Sequence, residues 1–103
     1  MNRIESKEIR GFILLMCKHN YPIGCSENLI VTTLGENQLN SNLSLIKGHL
    51  EYLEEKGYVR LEEVNDKGLG ISRTIAYITA KGIDMLEGSI PEDPGIMILE
   101  GGG

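Results

Sequence analysis

The stretch from Leu50 to Gly82 constrains the fold more than any other part of the chain. Leu50-Glu51-Tyr52-Leu53-Glu54-Glu55-Lys56-Gly57-Tyr58-Val59 reads as the end of an amphipathic helix, a glycine stop and the start of a strand. Ala76-Tyr77-Ile78-Thr79-Ala80-Lys81-Gly82 reads as a strand running into a new helix. The turn-forming segment Asn65-Asp66-Lys67-Gly68-Leu69-Gly70 lies between them. The implied order is helix, strand, glycine-bearing hairpin, strand, helix.

The flanking sequence adds two helices before this unit. Ile9, Phe12, Ile13 and Met16 recur at helical spacing and predict a first helix over about 6–18, closed off by Asn20-Tyr21-Pro22. Ser26 is the expected N-cap of a second helix that uses Leu29, Ile30, Thr33 and Leu34 and ends near Gly35-Glu36-Asn37. A third helix starts in Asn40-Ser41-Asn42, with Asn42 the favoured cap and Leu43, Ile46, Leu50 and Leu53 as its buried stripe. Lys56 suits the negative end of that helix, and Gly57 supplies the left-handed stop. Strands are expected over Tyr58–Val64 and Thr74–Ile78, and Thr79 should cap a last helix reaching about Leu86.

Beyond Gly88, Ser89-Ile90-Pro91-Glu92-Asp93-Pro94-Gly95 excludes regular helix or central strand, and Ile96-Met97-Ile98-Leu99 is apolar. Residues 89–103 therefore read as an extended acidic and apolar tail on a domain of residues 1–88. The tail should lie either over its own body or on a second subunit.

At 103 residues the chain supports one domain with one modest core. The net charge of −5 divides unevenly. Residues 1–83 hold all ten Lys and Arg against ten Asp and Glu, so the five acids of residues 84–103 carry the whole excess. No apolar run approaches the roughly 18 residues of a membrane span, and nothing at the N-terminus resembles a signal peptide. A cytoplasmic location follows as the expectation. Cys17 and Cys25 are then expected as free structural thiols; with His19 they match no standard zinc spacing. No cofactor or metal is expected.

Leu50-x-x-Leu53-x-x-x-Gly57-Tyr58-Val59 and Tyr77-x-Thr79-x-Lys81-Gly82, in this order, resemble the winged-helix superfamily in its marR-like and padR-like forms. A narrower resemblance rests on Ser26-Glu27-x-Leu29 and on Thr79-Ala80-Lys81-Gly82-Ile83-Asp84-Met85-Leu86-Glu87-Gly88 followed by Pro94-Gly95-Ile96. These segments are similar to a family of short winged-helix-like proteins of Mu-like transposable prophages. The resemblance implies an α+β winged helix-turn-helix: a three-helix core, a two-stranded β-hairpin wing, a C-terminal helix and an extended tail. It also implies a phage setting.

In that fold the third helix enters the DNA major groove and the wing touches phosphate. Asn40, Asn42 and Ser44 are the candidate donors to bases or phosphates, and Lys47, Lys67 and Arg73 the candidate phosphate contacts. The leading expectation is a small DNA-binding regulator or accessory factor, acting as a homodimer. Glu51 and Glu55 on the same helix face, Glu62, Glu63 and Asp66 on the wing, and apolar Leu69 and Ile71 near its tip point the other way. They favour a non-enzymatic protein-interaction module of a phage packaging or assembly complex. For a dimer, the apolar strip Ile96, Met97, Ile98 and Leu99 would pack on a partner's first helix, where Arg3, Lys7 and Arg10 would meet Glu92 and Asp93; packing on its own first helix is the alternative. No enzyme signature stands out. His19 and His49 have no nucleophile nearby in sequence, Gly68-Leu69-Gly70 lacks the ending of a phosphate loop, and no small-molecule substrate is implied.

Overall fold

The structure, a computed structural model, describes residues 3–39 and 41–99. Four helices and three strands follow in the order α1 (Arg3–Asn20), β1 (Cys25–Ser26), α2 (Glu27–Glu36), α3 (Leu43–Glu55), β2 (Val59–Asp66), β3 (Ile71–Ile78) and α4 (Ala80–Leu86). The architecture is α+β, with one antiparallel sheet in the spatial order β1-β3-β2.

Local chemistry sets most boundaries. The Ser26 hydroxyl accepts from the Leu29 N–H, and the Asn42 carboxamide oxygen accepts from the Leu45 N–H, capping α2 and α3. Gly57, at a φ of 84°, turns the chain out of α3 into β2. Thr79 joins two elements: its hydroxyl accepts from the Gly82 N–H at the start of α4 and donates 2.6 Å to the Gly57 carbonyl. The last helix is thereby tied to the end of α3.

The core gathers Ile9, Ile13, Leu14 and Cys17 from α1, Ile30 and Leu34 from α2, and Ile46, Leu50 and Leu53 from α3. Val59, Ala76 and Ile78 close it from the sheet, and Met85 from α4. Several expectations need correction. Leu43 is 42% exposed, and His49 takes its place in the buried stripe of α3. Leu29, expected on the inner face of α2, is also exposed. The hairpin is longer than its composition suggests, since Asn65 and Asp66 join the ladder opposite Ser72 and Ile71. The two-residue β1 has no counterpart in the expectations; Cys25 pairs with Ala76.

The tail lies on its own chain. Ile96 is buried in the core, with Ile90 and Ile98 packed against it. The Met97 N–H donates 3.0 Å to the Lys7 carbonyl of α1. A Cβ at Gly11 would land on the Met97 carbonyl oxygen, so glycine is what allows this close approach. Of the two placements left open by the sequence, the tail therefore takes the intramolecular one. Asp93 is engaged within its own chain. It is 8% exposed and accepts from the Tyr58 hydroxyl at 3.0 Å and the Gly95 N–H at 2.8 Å, with Lys56 Nζ at 3.5 Å.

Candidate functional site

The surface formed by α3 and the β2–β3 hairpin gathers most of the residues singled out in the sequence. Ser44, Lys47, Gly48 and Glu51 are exposed on α3, and Lys67 and Arg73 are exposed on the hairpin. None of Lys47, Lys67 and Arg73 forms an ion pair among the described residues. Asn42 is exposed, but its side-chain oxygen is engaged by the cap, which leaves its amide hydrogens as its outward donors. Asn40 lies outside the described residues.

Strand register explains how the hairpin presents its side chains. Val59, Leu61, Glu63 and Asn65 share one face with Ser72, Thr74, Ala76 and Ile78; Arg60, Glu62, Val64 and Asp66 share the other with Ile71, Arg73, Ile75 and Tyr77. The first face turns toward the core at its base and toward α3 further out. A cleft of about 310 Å³ opens there, lined by Lys47, Leu50, Glu51 and Glu54 of α3 and by Leu61, Glu63 and Thr74 of the sheet. Lys47 is the one cation among three carboxylates in this lining. Glu54 reaches across the cleft, its carboxylate accepting from the Leu61 N–H at 3.3 Å.

Apolar residues of the hairpin and of the start of α3 stay uncovered. Leu69 is 71% exposed at the hairpin tip, with Val64 and Ile71 exposed beside it, while Leu43 and Leu45 are exposed on the first turn of α3 at 42% and 41%. The hairpin tip does not fold back on the body. On the opposite sheet face the Arg60 guanidinium sits 4.3 Å from the Tyr77 ring centroid and pairs with Glu62 at 3.2 Å.

A second polar cluster joins α1, α3 and the tail. Arg10 donates through Nε to His49 Nδ1 at 3.3 Å and through Nη1 to the Gly95 carbonyl at 3.1 Å, and its guanidinium lies 3.8 Å from the Tyr52 ring centroid. Acceptance at Nδ1 places the neutral imidazole's proton on Nε2, which is buried without a partner. Burial, reinforced by the Arg10 charge, holds the His49 pKa below its ordinary value. Burial also pushes the Tyr58 hydroxyl up to about 12, helped by Asp93. For Asp93, burial works against ionisation, but the Gly95 N–H, the Tyr58 hydroxyl and Lys56 outweigh it and hold the carboxyl below its usual range.

Several of the tail and α1 residues expected as partner contacts are engaged within the chain. Arg10 is engaged within its own chain and Ile96 is buried, whereas Met97, Ile98 and Leu99 are half-buried against the body. Arg3 is exposed, and Lys7 is half-buried beneath the tail. Lys18, the remaining cation of α1, pairs with Glu87 at 3.4 Å.

Cys17 and Cys25 are both buried and free. Hydrogen bonding between them, together with burial, pushes the Cys17 thiol above its ordinary range, while the bond from Cys17 brings Cys25 down to about 7. Among the described residues no three His, Cys, Asp or Glu side chains converge to hold a metal ion, and no helix is long and apolar enough to cross a membrane. No family model, curated protein or solved structure matches the chain.

Proposed function

We propose that the chain is a winged helix, with α3 in the recognition position and the β2–β3 hairpin as its wing, used as a non-enzymatic protein-interaction module. The lining of the cleft between helix and wing carries this reading: Glu51, Glu54 and Glu63 surround a single Lys47. A duplex would have to place phosphates against that surface, and each phosphate contact needs a cation. The exposed Leu43 and Leu45 of α3 and Val64, Leu69 and Ile71 of the hairpin fit a protein surface better than a phosphate backbone. The resemblance to short proteins of Mu-like prophages suggests a phage packaging or assembly complex in the cytoplasm as the setting. The tail is held on its own α1, so this reading does not call on a tail crossing to a second copy.

A second reading keeps duplex DNA as the partner, as for a transcriptional regulator or DNA accessory factor. Its support is the exposed first half of α3, where Asn42, Ser44 and Lys47 lie on the surface, together with unpaired Lys67 and Arg73 on the hairpin. Titration of the protein onto a generic labelled duplex at low and physiological salt separates the two. Salt-insensitive silence supports the protein-interaction module. Binding that collapses with salt and is abolished by Lys47→Glu establishes the DNA reading instead.

A further inference from the structure

Among the described residues, the sheet order β1-β3-β2 leaves one long side of β2 without a neighbouring strand. Which backbone groups point there follows from the ladder. The Thr79 N–H donates to the Tyr58 carbonyl, so Tyr58 and every second residue after it direct their backbone groups to β3. Leu61, Glu63 and Asn65 direct theirs outward. The Leu61 N–H confirms the parity, because it is taken from outside the sheet by Glu54. Glu63 and Asn65 thus present free backbone donors and acceptors along the open edge, beside the cleft that Glu51, Glu54 and Glu63 line.

Building on the protein-interaction reading, we propose that this edge receives a lysine- or arginine-rich extended segment of another protein as an added strand. Main-chain bonds to Glu63 and Asn65 would fix the segment, and its alternate side chains would fall on the two faces of the sheet. Those entering the cleft meet Glu63 and Glu51 beside Lys47; those on the opposite face meet Val64 between Glu62, which already pairs with Arg60, and Asp66, whose carboxylate accepts from the Gly68 and Leu69 N–H groups. The three carboxylates of the cleft against its single lysine thus favour a cationic occupant. A second copy of this chain is disfavoured at the same edge, since β2 against β2 would set Glu62, Glu63 and Asp66 against their own counterparts. Acidic residues on an exposed edge also discourage indiscriminate strand pairing, which leaves complementary charge as the condition for entry.

The test uses a fluorescein-labelled octapeptide of alternating Lys and Thr and its Glu–Thr counterpart, titrated onto the full chain by anisotropy. Backbone amide exchange is recorded in parallel. The Lys–Thr peptide is expected to bind, the Glu–Thr peptide to fail, and the Glu63 and Asn65 amides to exchange more slowly in the complex. Asn65→Pro removes an outward N–H without touching the β3 ladder or the net charge, and should weaken binding by about 3–10-fold. Glu63→Lys, at an exposed position, should weaken it further and reports independently if the proline variant folds poorly. Binding that leaves both amides unprotected and is indifferent to Asn65→Pro would overturn strand addition, as would absence of binding at low salt. Either failure leaves the protein-interaction reading in place unless the duplex titration shows salt-dependent binding.

Discussion

Replacing Asp93 with alanine should loosen the tail and lower the stability of the whole domain. The carboxylate is nearly buried and accepts from the Tyr58 hydroxyl, itself buried, and from the Gly95 N–H. Loss of a charge-assisted bond with a hydroxyl left unpaired inside costs about 1.5–3 kcal/mol. The Lys56 pair has one exposed partner and adds about 0–1 kcal/mol. A total of about 1.5–4 kcal/mol corresponds to a fall in Tm of about 7–18 °C for a domain of this size. Thermal unfolding followed by circular dichroism reads it directly. If the bond to Tyr58 carries the effect, a double-mutant cycle with Tyr58→Phe should show coupling of about 1–2 kcal/mol. The acid side supplies a second check. Because the Asp93 pKa is held below its ordinary value, its contribution is complete above about pH 4 and disappears as pH falls through the folded value. Asp93→Ala should therefore lose less stability than the parent over that range. An unchanged Tm, or additive single-mutant effects, would refute the clamp.

Further expectations follow from the same contacts. Since the His49 pKa is depressed, the unfolded chain binds the extra proton first, so stability should fall as pH drops below about 6.5. His49→Gln should flatten that dependence in Tm measurements between pH 7.5 and 5. Gly11→Ala places a methyl on the Met97 carbonyl and should cost about 1–3 kcal/mol in urea unfolding, with faster exchange at the Met97 amide. Asn42→Ala removes the α3 cap and should cost about 1 kcal/mol, giving this residue a structural role under either functional reading.

Features governed by neighbours in sequence were the legible ones. Ser26, Asn42 and Thr79 announce their caps and Gly57 its stop, because each acts within three or four residues. Asn65 and Asp66 look like turn residues, yet the ladder recruits them, leaving a tighter turn at Lys67–Gly70. The two residues of β1 are too few for any periodicity to register. His49 displaced Leu43 from the buried face because its partner Arg10 comes from α1, 39 positions away. The clamp of Asp93 on Tyr58 spans 35 positions and has no local signature at all. For the candidate surface, the acids and apolar residues were evident singly, but only strand register and the lie of α3 bring Glu51, Glu54 and Glu63 around Lys47.

The most direct test of the protein-interaction account is the salt dependence of binding to a generic duplex, read by fluorescence anisotropy. Were Lys47, Lys67 and Arg73 all to neutralise phosphates, log K would fall against log salt with a slope of about −2.7, from roughly −0.9 per contact. The account predicts no measurable binding at low or physiological salt. A slope near that value, lost in Lys47→Glu, would contradict it and assign the surface to DNA.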